Sequence, residues 1–245
     1  MELFDIAGLC VQFAPRGQLL ISRTRPYLAP PGAAPDFTID LPDAFLEEKH
    51  ARYPQLTKDE CEYMWVGEAF YAKLLGYDGM LLHASCIEKD GRAYLFSAKS
   101  GTGKSTHTHL WLKAFEGSRI INDDKPALRK FDGKFYACGT PFSGKTDESV
   151  NARVPVRALV FLERGAENRV EPLAPEQAIP LFLSQTLRPP VRDGMARLLT
   201  LLGDLLKAVP AFRLQCNMDP GAAAAAYEGI ERLCRAKEKD GRHEG

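Results

Sequence analysis

The chain has 245 residues, of which 45% are hydrophobic, so it can bury a sizeable core as one large domain or two small ones. Lys plus Arg and Asp plus Glu are both 32, so the net charge is zero and no global basic field favours nucleic acid or anionic lipid. The apolar runs are too short to span a membrane, and the N-terminus "MELFDIAGLCVQF" carries acids where a signal peptide has a basic region.

The N-terminal stretch "FDIAGLCVQFAP" is expected to be a strand, "RTRPYLAPPGAAPDF" a loop and "FTIDL" a second short strand. "TKDECEYMWVGEAFYAKLLG" reads as a helix, with Thr57 and Glu60 at capping-box spacing and Gly76 as its stop. Cys61, Met64, Trp65, Ala69 and Ala72 form its expected core stripe. "MLLHASCIE" and "RAYLFSA", joined by "KDG", read as a hairpin. A helix is expected after Ala98, through Trp111 to about Phe115. "RIIN" is a short strand ending at Asp123 and Asp124. "KPALRKFDGKFYACG" is a hairpin turning at Asp132-Gly133, and "VRALVFLER" is an apolar strand. Two helices, around "PEQAIPLFLSQTL" and "DGMARLLTLLGDLLKAV", precede the strand "AFRLQCN" and a last helix, "DPGAAAAAYEGIERLCRA". The polar tail "KEKDGRHEG" is expected to be disordered. The alternation implies an α/β core at 78–235, an α+β portion at 1–77 and a tail at 236–245. Six scattered cysteines, none in a C-x-x-C pair, read as reduced and mostly buried in a cytoplasmic protein.

The chemistry centres on "LFSAKSGTGKSTHTHLW", Leu95 to Trp111. Its second half fits a phosphate loop formed by Ser100, Gly101, Thr102, Gly103, Lys104, Ser105 and Thr106. Glycines let successive backbone N–H groups converge on one anion, and the positive end of the following helix faces the same point. Lys104 would reach the β/γ-phosphates, and the Ser105 hydroxyl would sit on Mg²⁺. The full pattern has Gly where this chain has Ala98, so the loop is entered differently. The plain alternative is a polar turn before an ordinary helix.

"RIINDDKPAL" places Asp123 and Asp124 at the end of the strand that follows the loop's helix. If that strand returns beside the loop, one acid could hold Mg²⁺ and the other could take a proton from an attacking hydroxyl. Otherwise the pair is a D-D turn. His83, alone in an apolar strand, is by its own pattern a core histidine. His107 and His109 are expected on the helix surface.

Taken together, "LHASCIEKDGRAYLFSAKSGTGKST…INDDKPAL" resembles the HPr kinase/phosphorylase family, and is also similar to the ATP-dependent phosphoenolpyruvate carboxykinases. The likeness is specific over roughly residues 79 to 130 and weak at "VRALVFLERG", and the whole chain is similar to a bacterial HPr kinase-like group of about this length. The resemblance implies a P-loop kinase core with a mixed sheet, and ATP and Mg²⁺ as cofactors. It implies Lys104 on phosphate, Ser105 on Mg²⁺, Asp123 as base or acid and Asp124 as metal partner, these two roles being exchangeable. It also implies His83 near the transferred phosphate or the metal. The chain departs from HPr kinases at Thr106, where they carry an acid. It also lacks their Arg-Gly-rich loop, having "GTPFSGKTDESVNARVP" instead, a long polar connection read as mobile. In that segment Lys145 and Asp147 are candidate substrate contacts, and Arg188 in "QTLRPP" is a third. The expected function is transfer of a phosphoryl group from ATP to a hydroxyl, first of all a serine of a peptide or protein and secondly a small molecule. A nucleotide-binding regulatory module without turnover and a carboxykinase-like lyase are the alternatives.

Overall fold

The N-terminal residues build a small sheet from a hairpin and one short added strand. In the computed structural model, which describes residues 1–240, β1 (Glu2–Ile6) and β2 (Leu9–Phe13) pair antiparallel, and β3 (Phe37–Thr38) lies parallel to β2. The stretch expected as one strand is therefore two. The turn between them places Ala7 at φ 56° and Gly8 at φ 72°. With both residues at positive φ the turn is of the I′ kind, and Ala is a poor signal for that conformation. Helix α1 (Gln18–Thr24), unexpected from the sequence, follows, then α2 (Asp43–Arg52) and α3 (Lys58–Leu74).

Helix α3 starts as expected. Glu60 N–H donates to Thr57 Oγ1 at 3.2 Å, and Thr57 N–H donates to Glu60 Oε2 at 2.8 Å. Its core stripe differs from the expected one. Met64 and Ala72 face solvent, while Cys61, Tyr63, Val66, Phe70, Tyr71 and Leu74 are buried. The aromatic residues carry more apolar area than the small residues beside them, and they turn the helix onto the core. Buried Glu62 accepts the N–H groups of Arg16 and Gly17 at 3.0 and 2.7 Å, which fixes the entry to α1.

The rest of the chain is a mixed α/β assembly around a nine-stranded sheet. Its strands and helices are β4 (Gly79–Leu81), β5 (Ala84–Lys89), β6 (Arg92–Ser97), α4 (Lys104–Ala114), β7 (Arg119–Asn122), β8 (Ala127–Phe131), β9 (Lys134–Cys138), β10 (Arg153–Arg164), β11 (Arg169–Leu173), α5 (Pro175–Leu183), α6 (Arg192–Ala208), β12 (Ala211–Cys216) and α7 (Ala222–Asp240). Strands β12, β10 and β6 run parallel, flanked by antiparallel β11 on one side and by β5 and β7 on the other. The first residues of β10, Arg153–Pro155, pair with β9 and so join the β9–β8–β4 meander to the same sheet. Leucines of α5 and α6 cover one face, and Trp111 of α4 with Ala226 and Ile230 of α7 cover the other. The N-terminal portion shares its core with the meander: Phe4, Val66 and Phe70 pack with Ala127, Cys138 and Phe142.

Three differences from the sequence reading matter. The strand expected over 80–88 is broken at Leu82-His83, because β4 pairs with β8 while β5 pairs with β6 and β7. Strand β11 was not expected. Helix α7 runs to Asp240, so 236–240 are helical where a disordered tail was expected. Arg157 holds that last stretch through Glu231 and Glu238, at 2.8 and 2.6 Å. Residues 241–245 of the expected tail lie outside the described residues. All six cysteines are free thiols, five of them buried. No helix among the described residues is long and apolar enough to cross a membrane.

Candidate functional site

Strand β6 ends at Ser97, and the chain then turns back on itself before α4 begins at Lys104. Gly101 and Gly103 take φ of 77° and 116°, and nothing lies within 4 Å of where a Cβ would stand on either. The glycines are thus required by the backbone and not by crowding, and they leave the first N–H groups of α4 open. Lys104 is 8% exposed. Its ammonium donates to the Ala98 carbonyl at 3.0 Å and to His83 Nε2 at 3.1 Å. Ala98, the departure from the usual loop pattern, packs into the core beside Trp111. On the outer side of the loop, Arg164 at the end of β10 donates to the Gly101 carbonyl at 2.6 Å.

The break between β4 and β5 leaves His83 outside the ladder, facing the loop. Its backbone N–H donates to the Gln185 carbonyl at 2.7 Å. Nε2 accepts the hydrogen bond from the Lys104 ammonium, so the ring proton sits on Nδ1, which donates to Asp124 Oδ1 at 3.0 Å. The other Asp124 oxygen pairs with Lys125 at 3.0 Å. Burial pushes the Asp124 carboxyl up, but the His83 hydrogen bond and Lys125 outweigh it and hold the group below its ordinary range. Burial also lowers Lys104, against the opposing pull of Asp124 and Asp123.

Asp123 is 6% exposed and has both oxygens engaged. Oδ1 accepts from Ser85 at 2.6 Å, and Oδ2 accepts from Thr146 at 3.0 Å. Ser85 in turn lies 2.8 Å from Thr108 on α4. The strand pairing β5–β7 and the helix after the loop therefore orient one carboxylate together.

These groups line one cleft of about 490 Å³. It brings together His83, Ser100, Gly101, Gly103, Lys104, Ser105, Thr106, Asp123, Asp124 and Lys145. Thr102 lines a second hollow, of about 470 Å³, on the other side of the loop with Lys99, Glu163 and Arg164. Asp147 is not on the cleft wall: its carboxylate accepts from Ser143 at 3.0 Å and pairs with Arg23 at 3.3 Å. Arg188 lines a separate pocket of about 400 Å³ with Tyr71, Leu75, Met80 and Arg197. Ser85, Thr146, Lys125 and Arg164 were not anticipated from the sequence. Only Arg164 had a signal there, as a cation ending the apolar strand next to the loop's own.

Among the described residues no group of three or more His, Cys, Asp and Glu side chains is arranged to hold a metal. Mg²⁺ needs no such group, since it keeps several waters and takes one or two carboxylates besides phosphate oxygens. Ser105, Asp123 and Asp124, oxygen donors on one cleft wall, fit that chemistry.

No curated protein matches the chain. Among solved structures, the HPr(Ser) kinase/phosphatase from Coxiella burnetii is similar at 14% identity with a TM-score of 0.36, over 65% of this chain and 98% of that one. The family model of SynChlorMet cassette protein ScmC matches residues 57–188, from the cap of α3 through the glycine loop and both acids to Arg188. The chain belongs to the family of SynChlorMet cassette protein ScmC.

Proposed function

We propose that the protein is an ATP-dependent kinase that transfers a phosphoryl group to a hydroxyl, the serine of a peptide or protein being the preferred acceptor. The observation that carries this reading is one cleft walled by a glycine loop, a buried lysine and two acids, one of them already holding a hydroxyl. The resemblance to HPr kinases over residues 79 to 130 supports it further.

When bound, ATP with Mg²⁺ would supply the phosphoryl group. The open N–H groups at the start of α4 and the Lys104 ammonium would bind the phosphates. Lys104 would exchange its Ala98 and His83 partners for phosphate oxygens. Ser105 and Asp124 would hold Mg²⁺. Asp123 would accept the proton of the attacking hydroxyl, as a general base must be within hydrogen-bond reach of it. His83 would keep Asp124 oriented and face the migrating group. Lys145, on the same wall, would offset its charge. The chemistry would belong to residues 78–235, while 1–77 would hold the loop that carries Lys145. A cytoplasmic location belongs to this reading, and the free, mostly buried cysteines support it.

The test is transfer of radiolabel from ATP, with Mg²⁺, to a panel of serine-containing peptides and small alcohols. Acid-stable label on a hydroxyl, lost in Asp123→Asn, supports the reading. Tight nucleotide binding without ADP formation for any acceptor would make the chain a regulatory nucleotide-binding module. Decarboxylation of a dicarboxylic acid would make it a lyase.

A further inference from the structure

We propose that Thr146 is a self-phosphorylation site, the hydroxyl that this chain's own centre modifies in cis; this rests on the kinase reading above. The argument begins at Asp123. One of its oxygens is committed to Ser85 at 2.6 Å, and Ser85 is fixed in turn by Thr108. The other oxygen is the one left to receive a proton, and Thr146 Oγ1 stands 3.0 Å from it. This is the hydrogen bond that an acceptor hydroxyl must make to its base before transfer.

The two hydroxyls on Asp123 are not equivalent. Ser85 is fully buried in β5 and has no room for a phosphate. Thr146 is exposed and lines the cleft that also contains Lys104 and Ser105. Its position is held from both sides. Gly144 N–H donates to the Tyr63 hydroxyl at 3.3 Å, and Asp147 pairs with Arg23. Thr146 thus sits in the acceptor position because the N-terminal helices α1 and α3 hold its neighbours there.

In the step, a bond forms between Thr146 Oγ1 and the γ-phosphorus of ATP while the bond from that phosphorus to the β,γ-bridging oxygen breaks. ADP leaves, and the threonine proton passes to Asp123. Once Asp123 has released that proton to solvent, the product places a phosphate dianion beside the Asp123 carboxylate. Like-charge repulsion then drives the loop off the base and frees the acceptor position.

The experiment uses the purified full chain with ATP and Mg²⁺ at several protein concentrations, followed by intact mass, peptide mapping and ADP measurement. The expected result is one added phosphoryl group on Thr146, at a rate independent of protein concentration. Thr146→Val should abolish it while nucleotide binding persists. Thr146→Ser should restore label at position 146, and Asp123→Asn should slow it by about 10²- to 10⁴-fold. A phosphate mapped elsewhere overturns the proposal, as does a rate that climbs with protein concentration. ADP formation or labelling of an added acceptor with Thr146 unmodified overturns this inference and leaves the kinase reading standing. Bound nucleotide with neither ADP nor any phosphorylated group overturns both.

Discussion

His83 donates its Nδ1–H to Asp124 across 3.0 Å, joining the break between β4 and β5 to the end of β7. The backbone just past the strand ladder adds a second tie at the same place, Ala84 N–H to the Asp124 carbonyl at 3.1 Å. The side-chain bond and Lys125 hold the Asp124 carboxyl below its ordinary 3.8. A depressed carboxyl contributes stability that is fully present above pH 3.8 and is lost as pH falls through its lower folded value. Denaturant melts from about pH 5 down to about pH 1 should therefore show an acid limb below 3.8. Asp124→Asn should make that limb shallower, the remainder belonging to other depressed carboxyls such as Glu231. Identical limbs in wild type and variant would mean that the carboxyl gains nothing from His83 on folding.

Lys104→Ala should cost about 2.7–4 kcal/mol of transition-state stabilisation, the loss expected for one preorganised charge-stabilising donor. It should also cost about 1–3 kcal/mol of fold stability where the Ala98 carbonyl loses its donor. Calorimetric titration with ATP, turnover assays and thermal melts separate the two effects. Wild-type nucleotide affinity and turnover in the variant would remove Lys104 from the site.

Asp123→Asn should bind nucleotide with wild-type affinity and lose transfer by about 10²- to 10⁴-fold. Ser85 can still donate to the amide oxygen, so the fold should hold. The amide's N–H₂ group would meet Thr146 and cannot take its proton. Single-turnover kinetics against equilibrium binding reads the difference. Equal transfer by both proteins would leave Asp123 as a structural acceptor for two hydroxyls.

How much of this site could be read in the amino-acid sequence depends on what each residue's role is tied to. Gly101, Gly103, Lys104 and Ser105 were legible because a backbone bend and a helix start impose residue types at fixed spacing. The acids were legible because a strand end follows the loop's helix directly. His83 was legible only through family resemblance; its local pattern is apolar, and the strand break that exposes it depends on β4 choosing β8 as partner. Thr146 and Ser85 carried no signal, since hydroxyls are common and theirs converge only once β5, β7 and the 139–152 connection are folded. Asp147 looked like a ligand by charge and loop position, and its pairing with Arg23 comes from α1, an element absent from the sequence reading. In the fold, the large strands and α4 through α7 followed from apolar runs. The hairpin at Ala7-Gly8 and the buried face of α3 did not, because a left-handed alanine and aromatic packing override local pattern.

The connection bearing Lys145 and Thr146 is also tied to α4, through His109 and Glu148. His109 Nδ1 lies 2.6 Å from the Ser105 carbonyl, and Nε2 lies 3.0 Å from Glu148 Oε1. Both partners are acceptors, so both ring nitrogens donate and the imidazolium is the form that fits. Burial lowers this histidine, but the Ser105 carbonyl, Glu148 and the Asp123 charge outweigh it and raise the group above its ordinary 6.5. A raised histidine contributes stability that is fully present below pH 6.5 and is lost as pH rises through its folded value. The Glu148 carbonyl accepts the Asp123 N–H at 3.0 Å, so loss of the ion pair acts on the proposed base itself. Amide exchange at Asp123 and across 139–152, corrected for intrinsic rate, should therefore lose protection as pH rises above 6.5, while amides in the core of β6 and β10 should not. His109→Gln should have low protection at every pH and no such transition. If the variant and wild type lose protection together with the same pH profile, another group controls the connection.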